Sequence, residues 1–249
     1  MALNALTRTC IKGDHAMIAP DSHVPCPPVG WTETSAIILI SPQMGSRFIQ
    51  YFANMARGGT AGLPLPGVQR AIFVHEGGVR VECGKLKATL APGGFAWLPP
   101  DVPHTIRAAK ATRLTVFEKP YEEREGVEIP GAVAGDSAKV KGNPFLGDPD
   151  ARLKVLLPEI PGFDMAMNVF DFKAGAALPF VECHVMEHGL LMLEGQGVYR
   201  LADSWYPVQA GDAIWMASYC PQWFVAYGKG PSSYLYYKDI HRDPLGIAP

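Results

Sequence analysis

The chain reads as all-β, two small antiparallel sandwiches or barrels in tandem, on three observations. Short runs rich in Val, Ile, Phe and Tyr recur along most of the 249 residues, most of them bounded by Gly or Pro. The 26 Gly and 23 Pro, many at those boundaries, suit numerous strands and turns. The chain also echoes itself at an offset of 118 residues, which carries Glu76-Gly77 onto Glu194-Gly195, Gly93 onto Gly211, Trp97 onto Trp215 and Pro103 onto Pro221. That period is too long for a solenoid and points to a duplicated domain.

In chain order, residues 1–34 read as an irregular arm, because Pro20, Pro25, Pro27 and Pro28 interrupt regular structure. Strand-like runs follow at 35–40, 47–53, 71–75, 80–82, 96–98 and 114–118, giving a first domain over 35–118. Residues 119–152 change character: Glu122-Glu123-Arg124-Glu125, Pro130-Gly131, Gly142-Asn143-Pro144 and Asp148-Pro149-Asp150 read as a connecting segment with turns. Strand signals resume at 154–157, 165–172, 189–193, 198–202, 213–216, 223–226 and 233–238, within a second domain over 153–249.

Composition narrows the function classes. A hydrophobic content of 48% with 18% charged residues describes an ordinary soluble globule. A formal net charge of −2 provides no basic field for nucleic acid. Five cysteines at 10, 26, 83, 183 and 220, without a C-x-x-C pair, fit reduced thiols in a cytoplasmic protein. No signal peptide is evident in the first 25 residues, and no apolar stretch approaches a membrane span.

The chemistry concentrates at Glu182-Cys183-His184-Val185-Met186-Glu187-His188, just before the apolar run Leu190-Leu191-Met192-Leu193. In a strand, residues 182, 184 and 188 share a face, so a carboxylate and two imidazoles converge as most of a shell for a divalent cation. Cys183 and Glu187 then face the other way, Cys183 into the core. A solvated polar face is the plain alternative, and the apolar flanks speak against it. His184-x-x-Glu187-His188 also fits an inverted zinc-protease helix, but Pro179 and Gly189 leave little room for one. At the 118-residue offset, Glu182, His184 and His188 fall on Pro64, Pro66 and Arg70, so the first half reads as metal-free. The same offset sets Gln222 over His104, which nominates Gln222 as a fourth ligand and leaves His104 a partly buried or surface histidine.

Two Gly-punctuated β-domains, with ligands clustered on one strand and a fourth after a later Gly-Asp-x-x-Trp strand, resemble the cupin superfamily and its double-stranded β-helix, or jelly-roll, domains. The usual cupin order is permuted here to Glu182-x-His184-x3-His188 and then Gln222. With Phe163-Asp164-Met165-x-Met167, Gly195-Gln-Gly-Val-Tyr199 and Tyr236-Tyr237-Lys238-Asp239, that permutation resembles the (S)-ureidoglycine aminohydrolase family of bicupins, most sharply between about residues 160 and 243. The resemblance implies Mn²⁺ on Glu182, His184, His188 and Gln222, substrate contacts from Tyr199, Tyr234 and Lys238, a homo-oligomer, and conversion of (S)-ureidoglycine and water to (S)-ureidoglycolate and ammonia in purine catabolism.

Four such ligands make a fairly hard shell with one negative charge and leave two octahedral positions for a chelating ureido carboxylate. Two-point attachment plus a third contact selects one face of the α-carbon. Lys238 is expected beside the substrate carboxylate or ureido oxygen, and Tyr234 shares its strand face, as does Tyr236. Glu182 or an ion-activated water can serve as base, and the sequence leaves both open. Trp215, Trp223 and Phe224 are expected to line or close the barrel, and Asp239, Arg242 and Asp243 to form tail salt bridges. Two rival functions use the same shell: an Fe(II) oxygenase, and a non-catalytic module that binds a small carboxylate.

Overall fold

The computed structural model describes residues 7–246. Its described helices are single 3-10 turns, Pro20–Ser22, Pro42–Met44 and Ser137–Lys139, and strands carry the rest of the regular structure. The all-β expectation holds, with two sheet systems that correspond to the two halves of the repeat.

In the first system the sheet runs Val133–Asp136, Gly94–Leu98, Val68–Glu76, Thr112–Pro120, Ile49–Thr60, His104–Ala108, Val79–Cys83 and Leu86–Leu90, with Thr32–Ile40 also on Ile49–Thr60. In the second it runs Cys10–Ile11, His15–Ile18, Ala213–Met216, His188–Glu194, Ser232–Asp239, Met165–Phe172, Asp148–Val155 and Asn143–Phe145. A three-stranded sheet, Ser204–Gln209, Gln196–Leu201 and Gln222–Ala226, packs against the second system. The repeat survives as register: Ala71 pairs with Trp97, and Gly189, 118 residues on, pairs with Trp215.

The arm and the connecting segment are more ordered than their proline content suggests. His15–Ile18 is a fully buried strand that pairs with Ala213–Met216, so residues near the N-terminus complete the second half's sheet. Reciprocally, Val133–Asp136 pairs with Gly94–Leu98 of the first half. The expectation of an irregular 1–34 arm is thereby corrected over residues 7–34, residues 1–6 lying outside the described residues. Four residues ahead of the first proline, Pro20, are enough for a strand when a neighbouring sheet edge satisfies their backbone groups.

Burial sorts into three clusters. One fills the first barrel around Val79, Val81, Ile106 and Val116, and one fills the second around Leu190, Met192, Phe224 and Tyr234. The third lies between the halves and gathers Phe48, Trp97, Phe117, Met165, Trp215 and Tyr237 from both. Strands such as Met165–Phe172 are therefore covered on both faces and read as nearly continuous apolar runs instead of alternating.

Candidate metal centre

Strands from both sheets of the second half aim side chains into one cavity of about 140 Å³. His188 opens the strand His188–Glu194 and pairs with Met216 on one side and Lys238 on the other. Tyr234, Tyr236 and Lys238 alternate along Ser232–Asp239 and face the cavity, while Leu235 and Tyr237 pack into the cluster between the halves. Tyr199, Gln222, Glu182 and His184 complete its polar lining.

The ligand segment itself departs from expectation. Glu182 forms one isolated bridge, with Gln222, and the chain then leaves the sheet until His188. Strand parity does not govern residues 183–187, which corrects the buried placement of Cys183: its thiol is exposed, 3.2 Å from the Tyr219 carbonyl. His184 and His188 still meet, with Nε2 atoms 3.3 Å apart, and the Gln222 amide stands 3.1 Å from His184 Nε2. Two cis ligands bonded at about 2.1 Å to an octahedral ion are themselves about 3 Å apart, so these spacings suit a shared cation. His184 Nδ1 donates to the Met186 carbonyl, which leaves the Nε2 lone pair facing the cavity. Turning the Gln222 amide over presents its oxygen to the same point. Among the described residues the Glu182 carboxylate does not come within 4.8 Å of both imidazole nitrogens, so closing the shell takes a rotation of that side chain.

The electrostatics suit a cation too. Burial, then His184 and Lys238, push His188 well below the usual imidazole range, and burial with Lys238 lowers His184. Both rings are therefore neutral, the form that ligates a metal. Burial raises the Glu182 carboxyl while Lys238 opposes the shift. Tyr199 and Tyr234 are raised, chiefly by burial, and keep their hydroxyl protons. Lys238 is half-buried and also lines a second, wider cavity of about 730 Å³, which shares His184 and Met186 and leads toward Arg242.

The tertiary structure gives several other residues their partners. Tyr236 lines the cavity with its hydroxyl accepting from Asn168 Nδ2 at 3.0 Å. Asp239 makes its expected salt bridge, but to Arg47 of the first half and not within the tail, and it also accepts from the Glu187 backbone, whereas Arg242 donates to the carbonyls of Glu122 and Pro161. Asp243 accepts from the Leu245 backbone N–H. Trp215 lies in the cluster between the halves and donates to Glu187, Trp223 donates to the Leu178 carbonyl, and Phe224 alone of the three fills the barrel core. Asp14, His15 and Cys220 also gather within 4.8 Å, but Asp14 and Tyr206 occupy both ring nitrogens of His15 in a hydrogen-bonded relay.

At the matching place in the first half, Arg70 pairs with Leu98 and Glu118, as His188 does with Met216 and Lys238. Its fully buried guanidinium binds Glu118 and stands 3.0 Å from His104 Nε2. A fixed organic cation thus sits where the second half gathers its imidazoles, and His104 is a buried partner of that cation.

No model of a known protein family matches the chain. It is 43% identical over 247 residues to the probable (S)-ureidoglycine aminohydrolase of Oryza sativa subsp. japonica, covering 98% of this chain and 78% of that protein. It is 32% identical over 242 residues to the (S)-ureidoglycine aminohydrolase of Escherichia coli K12, covering 95% and 92%. Among solved structures, a putative glyoxylate-induced protein of Pseudomonas aeruginosa superposes with a TM-score of 0.88 at 27% identity, over 98% of this chain and 94% of that one. Oxalate decarboxylase of Bacillus subtilis shares the fold at 11% identity, with a TM-score of 0.70 over 91% and 78%.

Proposed function

The chain belongs to the (S)-ureidoglycine aminohydrolase family of cupin-fold enzymes, and from that premise we propose that it hydrolyses (S)-ureidoglycine to (S)-ureidoglycolate and ammonia in purine catabolism, with Glu182, His184, His188 and Gln222 holding a divalent ion. The observation that carries the reading is the meeting of two neutral imidazoles, an amide, one carboxylate and one lysine at a single small cavity. Mn²⁺ suits this mixed nitrogen and oxygen set, and when bound it would supply Lewis acidity beside the reacting carbon.

The protein's own residues account for binding and orientation. Lys238 offers its ammonium to the substrate carboxylate or a ureido oxygen. Tyr199 and Tyr234, held protonated by burial, donate hydrogen bonds from the adjoining wall. Together these contacts fix which face of the α-carbon meets the incoming water. Glu182 is the one carboxylate among the described lining residues, and its raised pKa suits it to take a proton from that water. The C–N bond to the α-amino group breaks, and ammonia leaves with the transferred proton. Phe145, Phe170 and Leu190 keep the cavity largely apolar, which strengthens each of these charge contacts. In this reading the first half carries no ion, and the protein works as a homo-oligomer.

The test is ammonia release from freshly generated ureidoglycine by metal-stripped protein, with Mn²⁺, Fe²⁺ or Zn²⁺ added back. Release restored by an added ion, without oxygen uptake, is the expected result. Oxygen consumption instead would favour the oxygenase, and ligand binding without product would favour the carboxylate-binding module.

A further inference from the structure

The two strand ends that carry His188 and Lys238 are tied together by a residue from the other half of the chain. Arg47 precedes the strand Ile49–Thr60 of the first sheet system, and its side chain crosses to the second. Its backbone N–H donates to both Glu187 carboxylate oxygens at 3.2 and 3.1 Å, and its Nε donates to Oε2 at 3.2 Å. A terminal guanidinium nitrogen donates to the Asp239 carboxylate. Glu187 sits between His184 and His188, and Asp239 follows Lys238 directly.

The two acids are also joined to each other, Glu187 N–H donating to Asp239 and Asp239 N–H to the Glu187 carbonyl at 3.4 Å. Trp215 Nε1 closes the group on Glu187 Oε1 at 2.7 Å. The neighbours of Arg47 press on the same strand ends. Phe48 packs against Tyr237 with ring centroids 4.2 Å apart, its ring fills the space a side chain at Gly189 would take, and Gln50 donates to the Leu190 carbonyl.

We propose that Arg47 is a positioning residue for the metal centre: one guanidinium fork, supplied by the half without a metal site, fixes the His184–His188 loop and Lys238 in relation to each other. The proposal rests on the function read above and gives the metal-free half a part in it. The side chains of Glu187 and Asp239 are 3% and 8% exposed, so without the guanidinium two buried carboxylates face each other without a shared countercharge. The segment relieves that by moving, and both imidazoles move with it. A lysine keeps the charge but cannot bridge two carboxylates with a planar fork.

The experiment compares wild type, Arg47→Ala and Arg47→Lys for binding of Mn²⁺ alone, by equilibrium dialysis and by the EPR spectrum of the bound ion, with thermal unfolding and the kcat and KM of ammonia release in parallel. Arg47→Ala is expected to bind Mn²⁺ about 10–100-fold more weakly with an altered EPR spectrum, as losses of supporting contacts to metal ligands do. Its kcat falls further than its KM rises. Because the Arg47 side chain is 43% exposed, added guanidinium ion can reach the vacated fork and partly restores both affinity and spectrum. Arg47→Lys is expected to fall in between, and it decides the matter if Arg47→Ala does not fold. Wild-type affinity and spectrum in either variant would overturn the proposal, as would a loss that guanidinium leaves unrelieved and that follows thermal stability alone. Wild-type protein that binds Mn²⁺ but releases no ammonia would sink the functional reading and leave this one standing. Wild-type protein that binds none of Mn²⁺, Fe²⁺ and Zn²⁺ would sink both.

Discussion

Gly189→Ala tests whether contact between the halves governs the strand that begins at His188. A Cβ built at Gly189 lies 2.4 Å from two ring carbons of Phe48 and 2.7 Å from Gln50 Oε1. Ordinary contact begins near 3.4 Å, so the ring has to retreat by about 1 Å. It has nowhere easy to go, since Phe48 is 1% exposed and backed by Tyr237. Overpacking of this kind costs about 1–3 kcal/mol, and the buried, confined ring puts it toward the upper end. The alanine regains about 0.4–1 kcal/mol by stiffening the unfolded chain, so the net loss is about 2 kcal/mol. For a chain of this length that lowers Tm by about 4–8 °C. Urea unfolding of metal-free protein measures it without the linkage an ion would add. Phe48→Leu placed on the alanine variant should recover more than half of the loss, and the double-mutant cycle should show coupling of about 1 kcal/mol or more. A variant within about 0.5 kcal/mol of wild type, or strictly additive substitutions, would refute the reasoning.

Two further outcomes are expected. Glu182→Ala or His188→Ala should remove both bound metal, measured by elemental analysis, and ammonia release, whereas His104→Ala should leave both intact because its ring serves Arg70. In the first half, burial followed by Arg113 holds His75 down to about 4. Its native pKa lies below the unfolded value near 6.5, so its contribution is complete above pH 6.5 and fades as pH falls toward 4. His75→Gln keeps a partner for Thr115 and should flatten that acid limb, by up to about 3 kcal/mol at pH 4, in urea midpoints collected across pH.

Much of the architecture was legible because it rests on local pattern. Gly- and Pro-bounded apolar runs identify strands wherever a sheet buries them, and the offset linking Trp97 to Trp215 reappears as equal register, since each tryptophan pairs within its own half, with Ala71 and with Gly189, at equivalent positions of the repeat. His184, His188 and Gln222 could be nominated because two imidazoles so close in sequence, and a repeat partner downstream, have few other uses. Parity failed at Cys183 because the chain leaves the sheet after Glu182, and alternation holds only where a ladder imposes it.

What the sequence by itself determined is the strand inventory, the duplication and the identity of the polar groups gathered at the cavity. Gly189 was legible only as a helix breaker, yet it leaves room for Phe48, 141 positions earlier. Tertiary structure alone decided that residues near the N-terminus finish the second half's sheet, that Arg70 stands in the first half where imidazoles stand in the second, and that Arg47 binds Glu187 and Asp239. The reason is range: periodicity and turn chemistry act over a few residues, whereas these pairings join positions tens to hundreds apart that meet only once both barrels have closed.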